Sequence, residues 1–261
     1  MSDLLVLCYH AVSPDWPAAL SIPPEALERQ LSQLARRGYR GVTVTEALTA
    51  PPAERTVAIS FDDAYRSVLE LARPILDRLG MRASVYVATD WPDRDPPMSW
   101  PGIEQWLGGP HESELSCMSW LELRGLADDG WEVGSHTCSH PRLPDLDDGA
   151  LDAELRESRA ECEDRLGREC QSIAYPYGAV DERVVEAAGR AGYRFGVTLP
   201  HGLHTPRPLH WPRVGIYHAD ALAGWRWRLK VSPAVRRLRA SPGWETLDGV
   251  RRRAGSVRRG S

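Results

Sequence analysis

Short apolar runs alternating with longer amphipathic stretches restrict this chain to very few folds. The runs predict strands over residues 4–9, 41–44, 56–61, 83–88, 131–134, 172–175, 195–199 and 214–217. Between them, a 3.6-residue periodicity predicts helices over 24–37, 65–79, 119–129, 147–166, 180–191 and 219–229. Pro24 suits a helix N-terminus, and Gly38, Gly80, Gly130 and Gly192 each stand where a helical pattern stops and a C-cap is wanted. Strand–helix alternation needs crossover connections and hence a mainly parallel sheet. Eight such units make an α/β fold of barrel size, with no internal repeat.

A parallel barrel gathers functional groups at the rim formed by the C-terminal ends of its strands. His10, Asp62, Asp63, His136, Tyr177 and His218 all follow the end of a predicted strand, so residues distant in sequence converge on one cleft. One segment breaks the alternation. Residues 91–118 are rich in Pro and Gly, carry Trp91, Trp100 and Trp106, and are too long for a simple connector, which predicts a lid or binding loop. Its indoles could stack on a sugar ring, although packing within the protein is the commoner role.

Charge is distributed unevenly. Between 226 and 261, ten Arg and one Lys face two acidic residues, a net of +9, which leaves −13 of the total −4 to residues 1–225. This predicts an acidic catalytic domain over 1–225 and a basic, partly disordered tail over 226–261. The acidic body argues against nucleic acid as a partner. Trp225-Arg226-Trp227-Arg228-Leu229-Lys230 could contact an anionic membrane peripherally, although a solvated basic tail is the plainer reading. Five cysteines, Cys8, Cys117, Cys138, Cys162 and Cys170, form no CxxC pair, so free thiols in a reducing compartment are expected. With no leader-like N-terminus and no membrane-length apolar run, the expected location is cytoplasmic, with a peripheral position at the inner membrane face.

Two motifs carry the chemistry. Ser60-Phe61-Asp62-Asp63-Ala64 sets adjacent carboxylates at the end of an apolar run, and His136-Thr137-Cys138-Ser139-His140 spaces two imidazoles as zinc sites do. Asp63, His136 and His140 together leave a divalent ion an open position for water, which suits hydrolysis rather than a closed structural site. Zn2+ matches the N/N/O donors, and Co2+ or Ni2+ would also fit. Asp62 is then free to act as general base. His10 and His218 compete as general acid, and residue chemistry does not choose between them. The turn Tyr175-Pro176-Tyr177-Gly178 can aim a main-chain N–H, that of Tyr177, at a developing oxyanion. Plainer readings exist for each: Asp63 as a helix cap, the histidine spacing as chance, the turn as a turn.

At these residues the chain resembles the polysaccharide deacetylases, the metal-dependent NodB-homology carbohydrate esterases. The aspartate motif resembles the family's first motif, with Ala64 where Gly is usual. The histidine motif is similar to the second, and Tyr175-Pro176-Tyr177-Gly178 to the third. The resemblance implies a distorted (β/α) barrel of seven to eight mainly parallel strands, with Asp62 as base, Asp63, His136 and His140 on the metal, and Tyr177 N–H at the oxyanion. Leu7-Cys8-Tyr9-His10-Ala11-Val12 resembles the permuted poly-N-acetylglucosamine deacetylase subgroup, where the acid histidine precedes the aspartates, which favours His10. An arginine that the family pairs with its base is replaced here by Ala174, and Arg213 is the candidate substitute. The family's Asp-Trp fourth motif is not evident. The expected activity is hydrolysis of the N-acetyl group of an amino sugar in a polysaccharide, oligosaccharide or glycolipid, releasing acetate. An amidase acting on a non-sugar amide and a catalytically degenerate carbohydrate-binding or scaffold protein are the alternatives.

Overall fold

The computed structural model describes residues 4–49, 55–199 and 206–232. Residues 233–261, most of the tail expected to be partly disordered, lie outside them. In chain order the elements are β1 (Leu5–Tyr9), β2 (Ala11–Val12), β3 (Ser21–Ile22), α1 (Pro24–Arg36), β4 (Arg40–Val42), α2 (Val44–Thr49) and β5 (Thr56–Phe61). There follow α3 (Arg73–Arg78), β6 (Ser84–Val87), α4 (Trp120–Asp128), β7 (Glu132–Ser135), α5 (Asp148–Leu166) and β8 (Ser172–Ala174). The chain continues through α6 (Glu182–Arg190), β9 (Phe195–Thr198), β10 (Trp211–Pro212), β11 (Val214–Gly215), α7 (His218–Leu222) and α8 (Gly224–Val231).

One parallel sheet runs in the order β10-β9-β8-β7-β6-β5-β1-β11, with β4 added beside β5. Its two outermost strands are neighbours in sequence. β10 pairs with β9 and β11 pairs with β1, so the single stretch from Trp211 to Gly215 joins the sheet's two edges and nearly closes a barrel. The expected barrel of mainly parallel strands is therefore the observed fold.

Strand residues alternate between two apolar clusters, as a period of two requires. Leu5, Leu7, Val57, Ile59, Phe61, Val85 and Val87 join the large core beneath the helices. Val6, Ala58, Tyr86, Ala174 and Val197 form the smaller inner cluster. Cys8 and Ser60, register partners, share the inner parity with Val6 and Ala58. Space inside is tight: a Cβ on Gly134 would lie 2.6 Å from the Tyr86 ring and 2.7 Å from Ser172 Oγ. At the N-terminal ends of the strands, Glu132 accepts hydrogen bonds from Ser84 Oγ, Ser172 Oγ, Thr45 Oγ1 and the Thr45 amide.

The four predicted glycine caps all have positive φ, from 63° at Gly80 to 99° at Gly192. The helix expected over 65–79 is interrupted. Pro74 has no amide hydrogen and its ring crowds the carbonyl four residues earlier, so the turn over Val68–Ala72 widens, with Arg73 N–H bonded to Val68 O, before α3 resumes. The strand expected over 41–44 stops at Val42, because Val44 already begins α2 and Thr43 Oγ1 accepts from the Glu46 amide at its start. The helix expected over 219–229 divides at Ala223, which leaves helical geometry (φ −115°, ψ 86°) just before Gly224. Its second half is no free amphipathic surface: Trp227 and Val231 are buried in the core, and Lys230 donates to Asp220 Oδ2 at 2.6 Å. Among the described residues no helix is long and apolar enough to cross a membrane, and all five cysteines are free thiols.

Candidate metal centre and base

The rim at the C-terminal strand ends collects the expected groups. His10 follows β1, Asp62 and Asp63 follow β5, and His136 follows β7. The ladders run one residue past the strands: Asp62 N–H donates to Tyr9 O at 3.0 Å and His136 N–H to Val87 O at 2.7 Å. Side-chain placement therefore inherits the rigidity of the sheet.

The turns beyond the strands are strained. Of seven described non-glycine residues with positive φ, five lie here: Asp63 (68°), Ala64 (51°), Thr137 (70°), His140 (67°) and Tyr177 (59°). Left-handed backbone costs an L-residue roughly 1–2 kcal/mol, so the surroundings must hold each one in place. Glu154 on α5 does so for the histidine turn: Oε2 accepts the Cys138 and Ser139 amides at 2.8 and 3.1 Å, and Oε1 accepts Ser139 Oγ at 2.6 Å. The Met118 amide does so for the aspartate turn, donating to Ala64 O at 3.0 Å.

Asp63 Oδ1 stands 3.4 Å from Nε2 of both His136 and His140. That separation is long for a hydrogen bond, and this buried oxygen has no hydrogen-bond partner. One ligand atom from each of the three residues lies within 4.8 Å of the others. His136 Nδ1 lies 2.7 Å from Ala174 O, which makes Nδ1 the donor and leaves the Nε2 lone pair facing Asp63. Two imidazole nitrogens and an unpartnered carboxylate oxygen, all turned inward, fit a divalent cation of the zinc type. Burial alone would raise the Asp63 pKa, but the facing imidazoles hold the carboxyl well below the usual range. Burial disfavours charge on both imidazoles. Asp63 outweighs it at His136, whose pKa rises, but not at His140, whose pKa falls.

Asp62 is held differently. Arg213 Nη1 donates to Oδ1 at 2.6 Å and Nη2 to Oδ2 at 2.7 Å, a two-point pair with the guanidinium wholly buried. Nη1 also donates to Ser60 Oγ at 3.0 Å. Burial pushes the Asp62 pKa up, yet the Arg213 charge prevails and brings it down to about 2. Arg213 sits between β10 and β11, in the stretch that closes the barrel, and its amide donates to Thr198 O at 2.9 Å. Position 174 supplies only a carbonyl to the site, and the cation beside Asp62 comes from Arg213 in the closing stretch.

His10 Nε2 lies 4.0 Å from Asp62 Oδ2, with the ring stacked beside Tyr217 at 6.3 Å. Burial lowers its pKa. His218 opens α7, its Nδ1 lying 3.3 Å from Ser21 O and its amide donating to Ala19 O at 3.0 Å. Of the two histidines, His10 is the one in contact with Asp62. Tyr177 packs edge-on against His140 at 4.7 Å, and its hydroxyl donates to Pro101 O at 3.2 Å.

Two neighbours escaped the sequence reading. Cys8 donates to Asp62 Oδ2 at 3.4 Å, a contact foreshadowed only by its shared strand parity with Ser60. Trp100, one of the indoles considered for sugar stacking, is buried and lies flat against His140, with ring centroids 4.3 Å apart. The segment carrying it is a packed wall: Met98, Ile103, Leu115 and Met118 are buried, and Glu114 accepts from Ser13 Oγ at 2.6 Å.

A nearly closed parallel barrel with an Asp-His-His cluster and an arginine-held carboxylate on its rim defines the architecture of a NodB-like deacetylase. The sequence pattern of the polysaccharide deacetylase family matches residues 49–196, and the chain belongs to that family. It is 28% identical over 206 residues to the polysaccharide deacetylase YxkH of Bacillus subtilis (strain 168), covering 77% of this chain and 66% of that one. It is 23% identical over 199 residues to the poly-β-1,6-N-acetyl-D-glucosamine N-deacetylase of Staphylococcus aureus (strain MSSA476), covering 71% and 63%. The chain thus spans just under two thirds of the length of these relatives. The fold is similar to that of Streptococcus pyogenes deacetylase PplD, solved in complex with acetate, with a TM-score of 0.68 at 21% identity over 92% of this chain and 98% of that one.

Proposed function

We propose that the protein is a metal-dependent N-deacetylase that hydrolyses the acetamido group of an N-acetylated amino sugar to acetate and a free amine. The observation that carries this reading is the division of labour between adjacent aspartates. Asp63 Oδ1 faces two imidazoles without a hydrogen bond, while both oxygens of Asp62 are gripped by Arg213. Asp63, His136 and His140 would hold the ion, which when bound supplies a Lewis acid for the amide carbonyl and lowers the pKa of a water.

The remaining chemistry belongs to the chain. Asp62, kept ionised by Arg213, accepts the proton of the attacking water. The Tyr177 N–H donates to the oxyanion that forms on the acetyl carbon. Burial favours the neutral form of His10. At 4.0 Å from Asp62 Oδ2 it can receive the proton that the base has taken and pass it to the departing amine. The named activity of the Staphylococcus aureus relative supports an N-acetylglucosamine-type substrate. The Arg213–Asp62 pair weakens the alternative of a degenerate binding protein, which rested on Ala174.

Metal analysis coupled to acetate release over N-acetylglucosamine oligomers, glycolipids and simple amides tests the reading. One Zn2+, Co2+ or Ni2+ per chain with turnover on the sugars supports it. Binding of the oligomers at full metal occupancy without acetate release would refute it, and turnover confined to simple amides would make the protein an amidase. The five free thiols support a cytoplasmic location, and the Arg-rich stretch after 226 supports contact with the inner membrane face. Fractionation of cells, with and without residues 233–261, tests both.

A further inference from the structure

The two histidines face Asp63 at equal distance but are oriented by different means. His136 has a hydrogen-bonded orienter, the Ala174 carbonyl. His140 has none: its Nδ1 is buried without a hydrogen-bond partner, and its backbone is left-handed at φ 67°. Neither backbone preference nor a polar contact explains why its Nε2 points at Asp63.

Its ring is instead enclosed by aromatic groups. Trp100 stacks on one face with centroids 4.3 Å apart and planes 25° from parallel. Tyr177 and His136 approach edge-on at 4.7 and 4.8 Å, with interplanar angles of 69° and 67°. Trp100 is itself fixed from behind by Trp91 at 5.6 Å, and Pro101 is tied to Tyr177 through its carbonyl.

We propose that Trp100 is the positioning residue of His140, its indole face fixing the imidazole plane where the partner histidine uses a hydrogen-bonded carbonyl. This rests on Asp63, His136 and His140 being metal ligands. An imidazole that binds metal normally donates its other N–H to an oxygen, which sets both ring angle and tautomer. A stacked indole sets the angle alone. The segment from Trp91 to Met118 is then part of the metal centre, although it contributes no ligand.

Competition for Zn2+ with a chromogenic chelator, on protein checked for folding by circular dichroism, tests this. Trp100→Leu should bind the ion roughly 10–100-fold more weakly, the range for lost orienting partners. Trp100→Phe, which keeps a flat ring, should stay within about threefold, and its Co2+ absorption spectrum should match that of the wild type. Trp106→Leu serves as control, since Trp106 lies in the same segment but packs on Trp16 and His111. It should bind Zn2+ as the wild type does. Wild-type affinity in folded Trp100→Leu overturns the proposal, as does equal weakening by Trp106→Leu, which would mean general loosening of the segment. If Trp100→Leu does not fold, a loss above tenfold in Trp100→Phe overturns it. His136→Ala and His140→Ala separate the two ideas. If these retain the ion the ligand assignment itself fails, whereas if they lose it and Trp100→Leu does not, only the role of Trp100 falls.

Discussion

The barrel carries carboxylates at both ends, a single one at the first and a pair at the second, and they are finished in opposite ways. At the N-terminal end, Glu132 accepts four hydrogen bonds, three from hydroxyls and one from a backbone amide. At the C-terminal rim, Asp63 Oδ1 is more deeply buried and accepts none. Leaving a buried acceptor unmade costs about 1–3 kcal/mol, and the strained turns around it add more. The chain can saturate a carboxylate with short hydroxyl side chains, as it does at Glu132, but it does not do so at Asp63. On the proposed function, Glu132 serves stability and Asp63 serves binding.

Changes at the two ends should therefore separate activity from stability. The largest effect is expected from Asp62→Asn, which removes the base but keeps its shape: metal content should stay at the wild-type level while acetate release falls by about 10²–10⁴. Turnover within tenfold of wild type would break the comparison. Arg213→Met strands the buried Asp62 carboxylate without its cation. It should destabilise the fold by about 3–5 kcal/mol in urea titrations and also slow turnover. A loss below about 1 kcal/mol would show that water, not Arg213, stabilises Asp62.

Glu132→Gln replaces an acceptor by a group that also donates, in a ring of donors. A loss of about 1–3 kcal/mol is expected, with turnover per folded molecule unchanged. Impaired turnover would link the two ends and remove the contrast. The smallest change belongs to Ala64→Gly. Relief of left-handed strain, roughly 1–2 kcal/mol, opposes loss of a buried methyl and added chain entropy, about 0.8 and 0.5–1 kcal/mol. The net shift should lie within about 1 kcal/mol by thermal melt, and a loss beyond about 2 would mean that the Ala64 methyl is an anchor of the turn.

Much of this was legible in the sequence because its signals are local. β5 lies where its apolar run lies, and the glycine caps fall where the helical periods stop. The motif residues could be placed on one rim because parallel strands share an end. What could not be read depends on contacts across the barrel or on elements too short to carry a period. β2 and β3 are two residues each, and α2 is six. The Arg213–Asp62 pair spans 151 residues, and only the resemblance made Arg213 a candidate. His10 and His218 each follow an apolar run, and their partners, Asp62 and the Ser21 carbonyl, separate them only in three dimensions. Packing is the commoner role expected of Trp100 and burial agrees with it, but the imidazole it packs against could not be read from the sequence.

The stretch from Trp211 to Gly215 has two roles. It carries the cation that pairs with Asp62, about 150 residues along the chain from that acid, and its two short strands complete the ring. With that piece undocked the ring is open, and Asp62 keeps Cys8 and His10 as neighbours but loses the guanidinium. Sealing the seam and pairing Asp62 with its cation are thus a single structural event.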